Sequence, residues 1–334
     1  MGNLILGWFI QTLRNSMNKP GVILITTLLI IMVMSLISVQ ISKNFYISLS
    51  REAYLDFKTL SYQMLISSEG QAIQSLQKEL KSQQEKLTLH DPLLKNTFYY
   101  ENDSMLLELK ISDAVNCFNL NSLFEPADNT FNVALAQRKW LERYLRLKFL
   151  NESDIESFID QLIDWVDLDN QPRNFGAENY FYIGPASITQ QFTPKRLLVD
   201  LSEIKNFPIM QTVSFDDLST NLCVVPDSSK QFLNINSLTS EDTMLVASFF
   251  NNDNLELVES QIIDMPRQGY DSIDFFAEFF SRSKDYPAQV LSLNSKSFHL
   301  HGKIVNENFS ANLDTLVILD LSNSAVIARR TFNF

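Results

Sequence analysis

Between Lys19 and Lys43 lie twenty-three residues without a charge, Pro20 to Ser42. As a helix rising about 1.5 Å per residue, such a run reaches roughly 35 Å, enough to cross a bilayer core of about 30 Å. A cleaved secretory signal needs a small-x-small site after an apolar stretch of about 7–15 residues. This run is too long for that, and Ser38-Val-Gln40 offers a poor site. A membrane anchor is therefore expected. Arg14 and Lys19 precede it and no acidic residue appears before Glu52, so the flanks favour a cytoplasmic N-terminus and an exported bulk. Leu4 to Ile10 is apolar but far too short to span.

Lys19-Pro20-Gly21 leads into Val-Ile-Leu-Ile-Thr-Thr-Leu-Leu-Ile-Ile-Met-Val-Met with no polar spacer. That junction resembles a type IV pilin-type leader, cut on the cytoplasmic side just after Gly21 by a prepilin peptidase. The mature chain would begin at Val22 and keep the apolar helix as its own N-terminus. Met17 leaves a second start open, with a five-residue leader, and a plain uncut signal anchor is the competing reading.

The chain has 334 residues and a net charge of −12. An acidic exterior works against nucleic-acid binding, which depends on Lys and Arg neutralising phosphates, so no nucleic-acid partner is expected. Cys117 and Cys223 are too few for a disulfide scaffold or a zinc site. The expected topology puts both in an oxidising compartment, which leaves a single bridge between them open.

From Phe45 to about Gln84 there is no proline, and only Gly70 interrupts. Tyr54, Phe57, Leu60, Met64, Ala72, Ile73, Leu76 and Leu80 recur at three- and four-residue spacing, the stripe of an amphipathic helix that continues the anchor. At the other end, Phe298–Ile304, Phe309–Leu321 and Ala325–Phe334 alternate apolar and polar residues, with turns at 306–308 and 322–324. They predict an antiparallel meander. His299 and His301 fall on one strand face, opposite Phe298 and Leu300, and read as a solvated face rather than a metal pair.

Between these ends the chain repeats itself. Phe118-Asn-Leu-Asn-Ser-Leu123 recurs as Leu233-Asn-Ile-Asn-Ser-Leu238. Each copy precedes a predicted helix, Thr130–Phe149 with Trp140, Leu141, Tyr144 and Leu145, then Ser240–Phe250. A polar turn and a second helix follow, containing Glu156-Ser-Phe-Ile159 in one copy and Glu259-Ser-Gln-Ile262 in the other. Ser153 and Glu156 have capping-box spacing. Asn-x-Asn before a helix pair is also similar to helix-hairpin-helix DNA-binding modules. Those need glycines so that backbone amides approach a phosphate, and these turns hold Asn, Glu, Asp and Ser instead. The Asn residues are expected to satisfy backbone groups at strand-to-helix turns.

Trp165-Val-Asp-Leu-Asp-Asn-Gln-Pro-Arg-Asn-Phe-Gly-Ala-Glu178 carries the one constellation with chemistry. Counted from Asp167 as position 1, Asp169 is position 3, Gln171 position 5 and Glu178 position 12, the oxygen-ligand spacing of an EF-hand loop. Asp164, a helical turn earlier, could add an oxygen. Position 6 is Pro172 where an EF-hand has glycine, and no helix is evident after Glu178. The reading is a structural Ca²⁺ loop of another type, set against a solvated acidic turn with Trp165 and Phe175 in the core. A paired-carboxylate hydrolase lacks a second carboxylate pair, Gly-x-Ser-x-Gly and His-Glu-x-x-His are absent, and no enzyme is expected.

Four segments in order now resemble the type II secretion minor pseudopilin K, the general secretion pathway protein K. They are Gly21-Val-Ile-Leu-Ile-Thr-Thr-Leu-Leu-Ile, Phe118–Leu123, Leu162-Ile-Asp-Trp-Val-Asp-Leu-Asp-Asn-Gln-Pro through Gly176-Ala-Glu178, and Leu233–Leu238. Leu198-Val-Asp-Leu-Ser-Glu-Ile204 and the C-terminal strands agree more weakly. The resemblance implies an α+β fold, in which a pilin-like transmembrane and amphipathic helix packs on an antiparallel sheet and carries a large inserted α-helical domain that binds calcium. Leader, transmembrane helix, amphipathic helix with first strand, insertion and C-terminal strands would occupy residues 1–21, 22–42, 43–112, 113–285 and 286–334. It also implies a periplasmic tip subunit on the bacterial inner membrane, assembled with minor pseudopilins I and J on the major pseudopilin fibre. The calcium ligands carried over are Asp167, Asp169, Glu178 and Asp164. Two departures stand out: Pro20 rather than a basic residue precedes Gly21, and the leader is long. The competing function is a membrane-anchored, calcium-dependent periplasmic hydrolase using the same loop.

Overall fold

A computed structural model describes residues 20–82, 87–102, 104–128, 130–185, 190–226, 230–280, 290–319 and 324–334. The leader up to Lys19 and the end of the expected helix at 83–84 lie outside the described residues. The chain divides into two compact units, one ending at Gln63 and one running Met64–Phe334.

In the first unit Pro20 opens helix α1 (Pro20–Ser82), at a position where its missing N–H costs nothing. Among the described residues one helix is long and apolar enough to cross a membrane, and it is this one. In its apolar part Thr26, Thr27 and Ser35 bond their own helix: the Thr26 hydroxyl donates to the Ile23 carbonyl at 2.9 Å and Ser35 to Ile31 at 2.9 Å. That suits a segment with no water to bond.

In the second unit the part of α1 from Met64 onward lies on a five-stranded sheet. The strands β1 (Thr97–Glu101), β2 (Leu106–Asp113), β9 (Ser297–Val305), β10 (Ser310–Leu319) and β11 (Ala325–Asn333) neighbour one another in that order, all antiparallel. Strands β9 to β11 are the expected meander, and everything between β2 and β9 is inserted. Alternation puts Leu107, Leu109 and Ile111 of β2, Phe298, Leu300 and Ile304 of β9, and Leu313 and Val317 of β10 on the covered face. On the helix Leu65, Ala72 and Leu76 are buried, whereas Leu60 of the expected stripe is exposed. Gly302 lets the helix come close, because a Cβ there would lie 2.8 Å from Leu65 Cδ2. Buried Glu69 takes a fork from Arg330 and a hydroxyl from Thr315, which are cross-strand partners. On the opposite face His301 pairs with Asp314 at 2.6 Å. His299 is half-buried, so that face is not solvated throughout, and burial followed by the Arg329 charge pulls its pKa down.

The insertion leaves and returns at one place. Asp113 and Phe298 are paired, and the Ala114 amide donates to Ser297 O at 3.0 Å. This is the end of the sheet where α1 finishes: Leu89 N donates to Asn236 O at 3.1 Å. Inside the insertion each repeat builds the same clasp. Strand β3 (Phe118–Asn119) pairs in parallel with β6 (Leu222–Cys223), and β7 (Leu233–Asn234) with β8 (Leu291–Ser292). The latter pairing carries the helical module past residue 285. In the first copy the Asn121 amide exchanges both its bonds with the Leu198 backbone, at 2.8 and 2.9 Å, and donates to Val225 O at 3.0 Å. In the second, Asn236 exchanges both with Tyr270, at 3.2 and 2.6 Å, and donates to Leu293 O at 3.1 Å. Gly269, with φ +70°, makes the second clasp fit, since a Cβ there would sit 2.7 Å from Asn236 Oδ1.

Each clasp holds a helix pair: α3 (Leu135–Leu147) and α4 (Glu152–Val166) in the first copy, α7 (Thr243–Phe250) and α8 (Leu255–Ile263) in the second. Thr130–Val133 is not helical as expected but β5, paired with β4 (Phe124–Ala127). Asn151, not Ser153, caps α4, its side chain accepting from Asp154 N at 2.9 Å. The copies meet through their first helices. Trp140 donates to Ser248 Oγ at 2.9 Å and lies edge-on to Phe249 and Phe118. Cys117 and Cys223 are bonded, closing 106 residues of the first copy. In the chain-entropy account a loop of about that length is worth roughly 4–5 kcal/mol.

Asn236 is fully buried, so Asn236→Ala strands Tyr270 N, Tyr270 O and Leu293 O together. At about 1–3 kcal/mol per orphaned buried group, part of it recovered by relaxation, a loss of about 3 kcal/mol is expected. Urea unfolding of the full chain in detergent measures it. A loss below 0.5 kcal/mol, an arbitrary floor of about the error of such fits, would contradict the clasp.

Candidate metal centre

Helix α4 ends on a face of carboxylates that catches the chain coming back. Phe175 N donates to Asp160 Oδ2 at 3.2 Å, Arg173 N to Asp164 Oδ2 at 3.1 Å, and Gln161 Nε2 to Phe175 O at 3.2 Å. Asp160 and Asp164 stand four residues apart and so share this face. Gly176 is the price of that close return, since a Cβ there would lie 1.9 Å from Asp164 Oδ2.

Carboxylate oxygens of Asp167, Asp169 and Glu178 converge, all within 4.8 Å of one another. Asp167 is half-buried, Asp169 exposed and Glu178 buried. Glu178 caps a one-turn helix, α5 (Asn179–Tyr182), the helix that the sequence did not reveal. Two of the expected residues stay outside the cluster. Asp164 is fully buried but spends its oxygens on Arg173 N, with the Arg173 guanidinium 3.8 Å away, so it shapes the loop instead of joining the cluster. Gln171 contributes its backbone amide to Asp169 Oδ1 at 2.8 Å, not its side chain to the cluster. The loop is therefore no EF-hand, in line with Pro172 at the turn.

The electrostatics ask for a cation. Asp167 Oδ1 and Glu178 Oε1 are buried and meet no hydrogen-bond donor. A buried unpaired group costs about 1–3 kcal/mol, more when charged. Burial, then the charges of Asp169 and Glu178, pushes the Asp167 carboxyl up to about 6. Burial, opposed by the Arg173 amide and helped by Asp167 and Glu178, lifts Asp164 to about 7. Glu178 is raised chiefly by burial. Oxygen-only donors with negative charge fit a hard divalent cation and not a soft one.

Sequence reasoning missed the groups that hold the loop shut. Asn179 donates to Asn170 Oδ1 at 3.0 Å and accepts from Thr193 N at 2.8 Å. Lys195 reaches in from the far side, its ammonium bonded to Asn170 Oδ1 at 2.8 Å and 3.9 Å from Glu178 Oε2. No spacing rule points to a lysine so far along an irregular segment.

A family model described as "Type II secretion system (T2SS), protein K" matches residues 116–227, the first repeat with its loop. "Putative type II secretion system protein K" of Escherichia coli (strain K12) is 23% identical over 94% of this chain and 98% of its own length. "Type II secretion system protein K" of Aeromonas hydrophila is 23% identical over 93% and 96%. A chain from the crystal structure of the GspK-GspI-GspJ complex of enterotoxigenic Escherichia coli superposes with a TM-score of 0.73 at 18% identity, covering 85% of this chain and 99% of that one. The likeness to these K proteins runs over nearly the whole chain, and the solved structure shares its fold.

Proposed function

We propose that this chain is the minor pseudopilin that caps the periplasmic pseudopilus of a type II secretion apparatus, a structural subunit and not an enzyme. The observation that carries the reading is the placement of the insertion. It stands between β2 and β9 and covers the end of the sheet where α1 finishes. A fibre of pilin-like subunits grows by stacking along its helices, and a large domain at that end obstructs the next subunit. The likeness to a GspK-GspI-GspJ complex supports minor pseudopilins I and J as direct partners, with the major pseudopilin fibre below them. In this reading α1 crosses the inner membrane with its N-terminus cytoplasmic, and the bulk of the chain is periplasmic.

Thr26, the fifth residue of a chain cut after Gly21, fits the same place. Pilin-like subunits resemble one another in carrying Glu there, and an unpaired charge in lipid costs about 2.5 kcal/mol or more. Thr26 instead bonds its own helix, so it forgoes a pairing that would set it beneath another subunit. Deleting the chain is expected to impair secretion or to change pseudopilus length and number. Labelled chain should appear once per fibre end; many copies along the shaft would contradict the cap.

Processing follows from the same topology. A prepilin peptidase is expected to cut after Gly21, leaving Val22 as the N-terminus. Intact mass of the native protein checks this, and an uncut chain in cells with an active peptidase would overturn it.

Asp167, Asp169 and Glu178 are read as ligands of a structural Ca²⁺. The ion would supply charge compensation for the two orphaned oxygens, and the loop's own bonds would orient the carboxylates around it. Binding to the native state alone adds stability by linkage, about 2.7 kcal/mol when free calcium is 100-fold above the dissociation constant. EDTA should lower the melting temperature of the full chain, and Asp167→Ala in calcium should melt close to the chelated wild type. A wild-type melting point indifferent to EDTA would remove the metal reading.

A further inference from the structure

The same loop already holds a cation of its own. The Lys195 ammonium bonds the Asp169 carbonyl, the Leu168 carbonyl at 3.3 Å and Asn170 Oδ1 at 2.8 Å, with Glu178 Oε2 at 3.9 Å. Three carbonyl-type oxygens and a carboxylate are what a hard metal ion seeks. The backbone is bent to deliver that ammonium. Lys195 has φ +49°, in the left-handed region that side chains with a Cβ enter at a cost, and such conformations persist where the surroundings impose them. Thr193, two residues earlier, is fastened to Asn179 by its amide and hydroxyl, at 2.8 and 2.9 Å, which fixes where the lysine can reach.

One ammonium does not satisfy the site. Asp167 Oδ1 and Glu178 Oε1 stay without a partner while Lys195 is in place. A divalent ion centred on the three carboxylates would reach them, but Nζ stands 3.9 Å from Glu178 Oε2, one of those carboxylates, and two cations that near each other repel in a partly buried site. That repulsion sets the ion and the ammonium in competition for the loop.

We propose that Lys195 is an intramolecular counter-cation for the ion loop: it keeps the loop closed when no ion is bound, and Ca²⁺ enters by displacing its ammonium into solvent. The inference rests on the reading of Asp167, Asp169 and Glu178 as a divalent-ion site. Its consequence is twofold. The ion-free loop does not fall open, and the affinity for calcium is lowered by the fraction of time the lysine is out of the way.

The test uses the full-length chain in detergent with Ca²⁺ as the probe. Lys195→Met should bind Ca²⁺ about tenfold more tightly by calorimetry, because the competing state is gone, and should melt below wild type in EDTA. Arg196→Met, which removes the same charge from an exposed neighbour paired with Glu203, should change affinity less than about twofold, since an exposed charge acts weakly. An amine-reactive reagent followed by peptide mass analysis reads the displacement directly. Calcium should increase labelling of Lys195, the reverse of what a loop that merely tightens would do. Unchanged calcium affinity in Lys195→Met, equal gains in both variants, or protection of Lys195 by calcium would each overturn the exchange while leaving the metal site intact. A wild type that binds no calcium would instead overturn the site itself, and the exchange with it.

Discussion

Inserting a large segment into a small sheet works only if the two crossing points are held together, and beside the β2–β9 ladder one half-buried aspartate ties both to the insertion. Asp113 is the last residue of β2. It takes hydroxyls from Ser237 and Ser295, the Asn234 amide at 3.1 Å and the Val115 amide at 2.9 Å. Those donors come from the second repeat, from the return before β9 and from the exit itself, so the two crossing points and the insertion share one acceptor. Burial raises its pKa, and the four donors pull it back. A carboxylate surrounded this way resists removal of any one partner, because each leaves a charge less well compensated. The insertion is thus fastened to the sheet by polar bonds of defined direction, and its orientation relative to the sheet is correspondingly specified.

Glu69 plays the matching part for the helix. It is buried beneath Arg330 and Thr315, and the fork from Arg330 sets one rotation of α1 about its own axis. Apolar packing of Leu65, Ala72 and Leu76 on the sheet is tolerant of small rotations; a bidentate pair is not. Both polar anchors sit where apolar contact alone would leave a choice of arrangements.

What could be read from the sequence was what is periodic or repeated. The apolar run, the C-terminal alternation and the doubled Asn-x-Asn-Ser-Leu each impose a pattern that side-chain chemistry displays directly. The clasps make the last case clear, since Asn121 and Asn236 do the same work in each copy. Legibility failed where a distant partner decides. Thr130–Val133 has a helix beside it and becomes a strand because Phe124–Ala127 is there to pair with. Asn151 and Ser153 are both good caps, and the turn after Phe149, itself at φ +62°, selects the first. Asp164 has the right spacing for a ligand, but the close approach of Gly176 and Arg173 takes its oxygens. Lys195 could not be found at all, because its place depends on the path of an irregular segment.

The two copies differ where the acidic loop stands, and that difference bears on why charge gathers there. In the second copy the chain passes from α8 to Tyr270 by the short stretch Asp264–Gly269, ending on a glycine that turns it into the clasp. In the first, the described residues on the path from Asp167 to Leu198 form only the single turn α5. A connection of that length cannot hold itself by secondary structure, and uncommonly long loops need some other tie. Apolar burial supplies only part of it, since Leu168, Tyr180 and Phe192 point out, at 51%, 63% and 68% exposure. Ala177 and Tyr182, midway along it, are the buried exceptions, with Tyr182 edge-on to Trp165. The remaining means are polar. The face of α4 grips the return through Asp160 and Asp164, the Asn170–Asn179–Thr193 chain crosses the loop's mouth, and the Lys195 ammonium closes it. Asp160 and Asp164 therefore do for the start of the loop what apolar packing of Ala177 and Tyr182 does for its middle, and the Lys195 ammonium ties the two together.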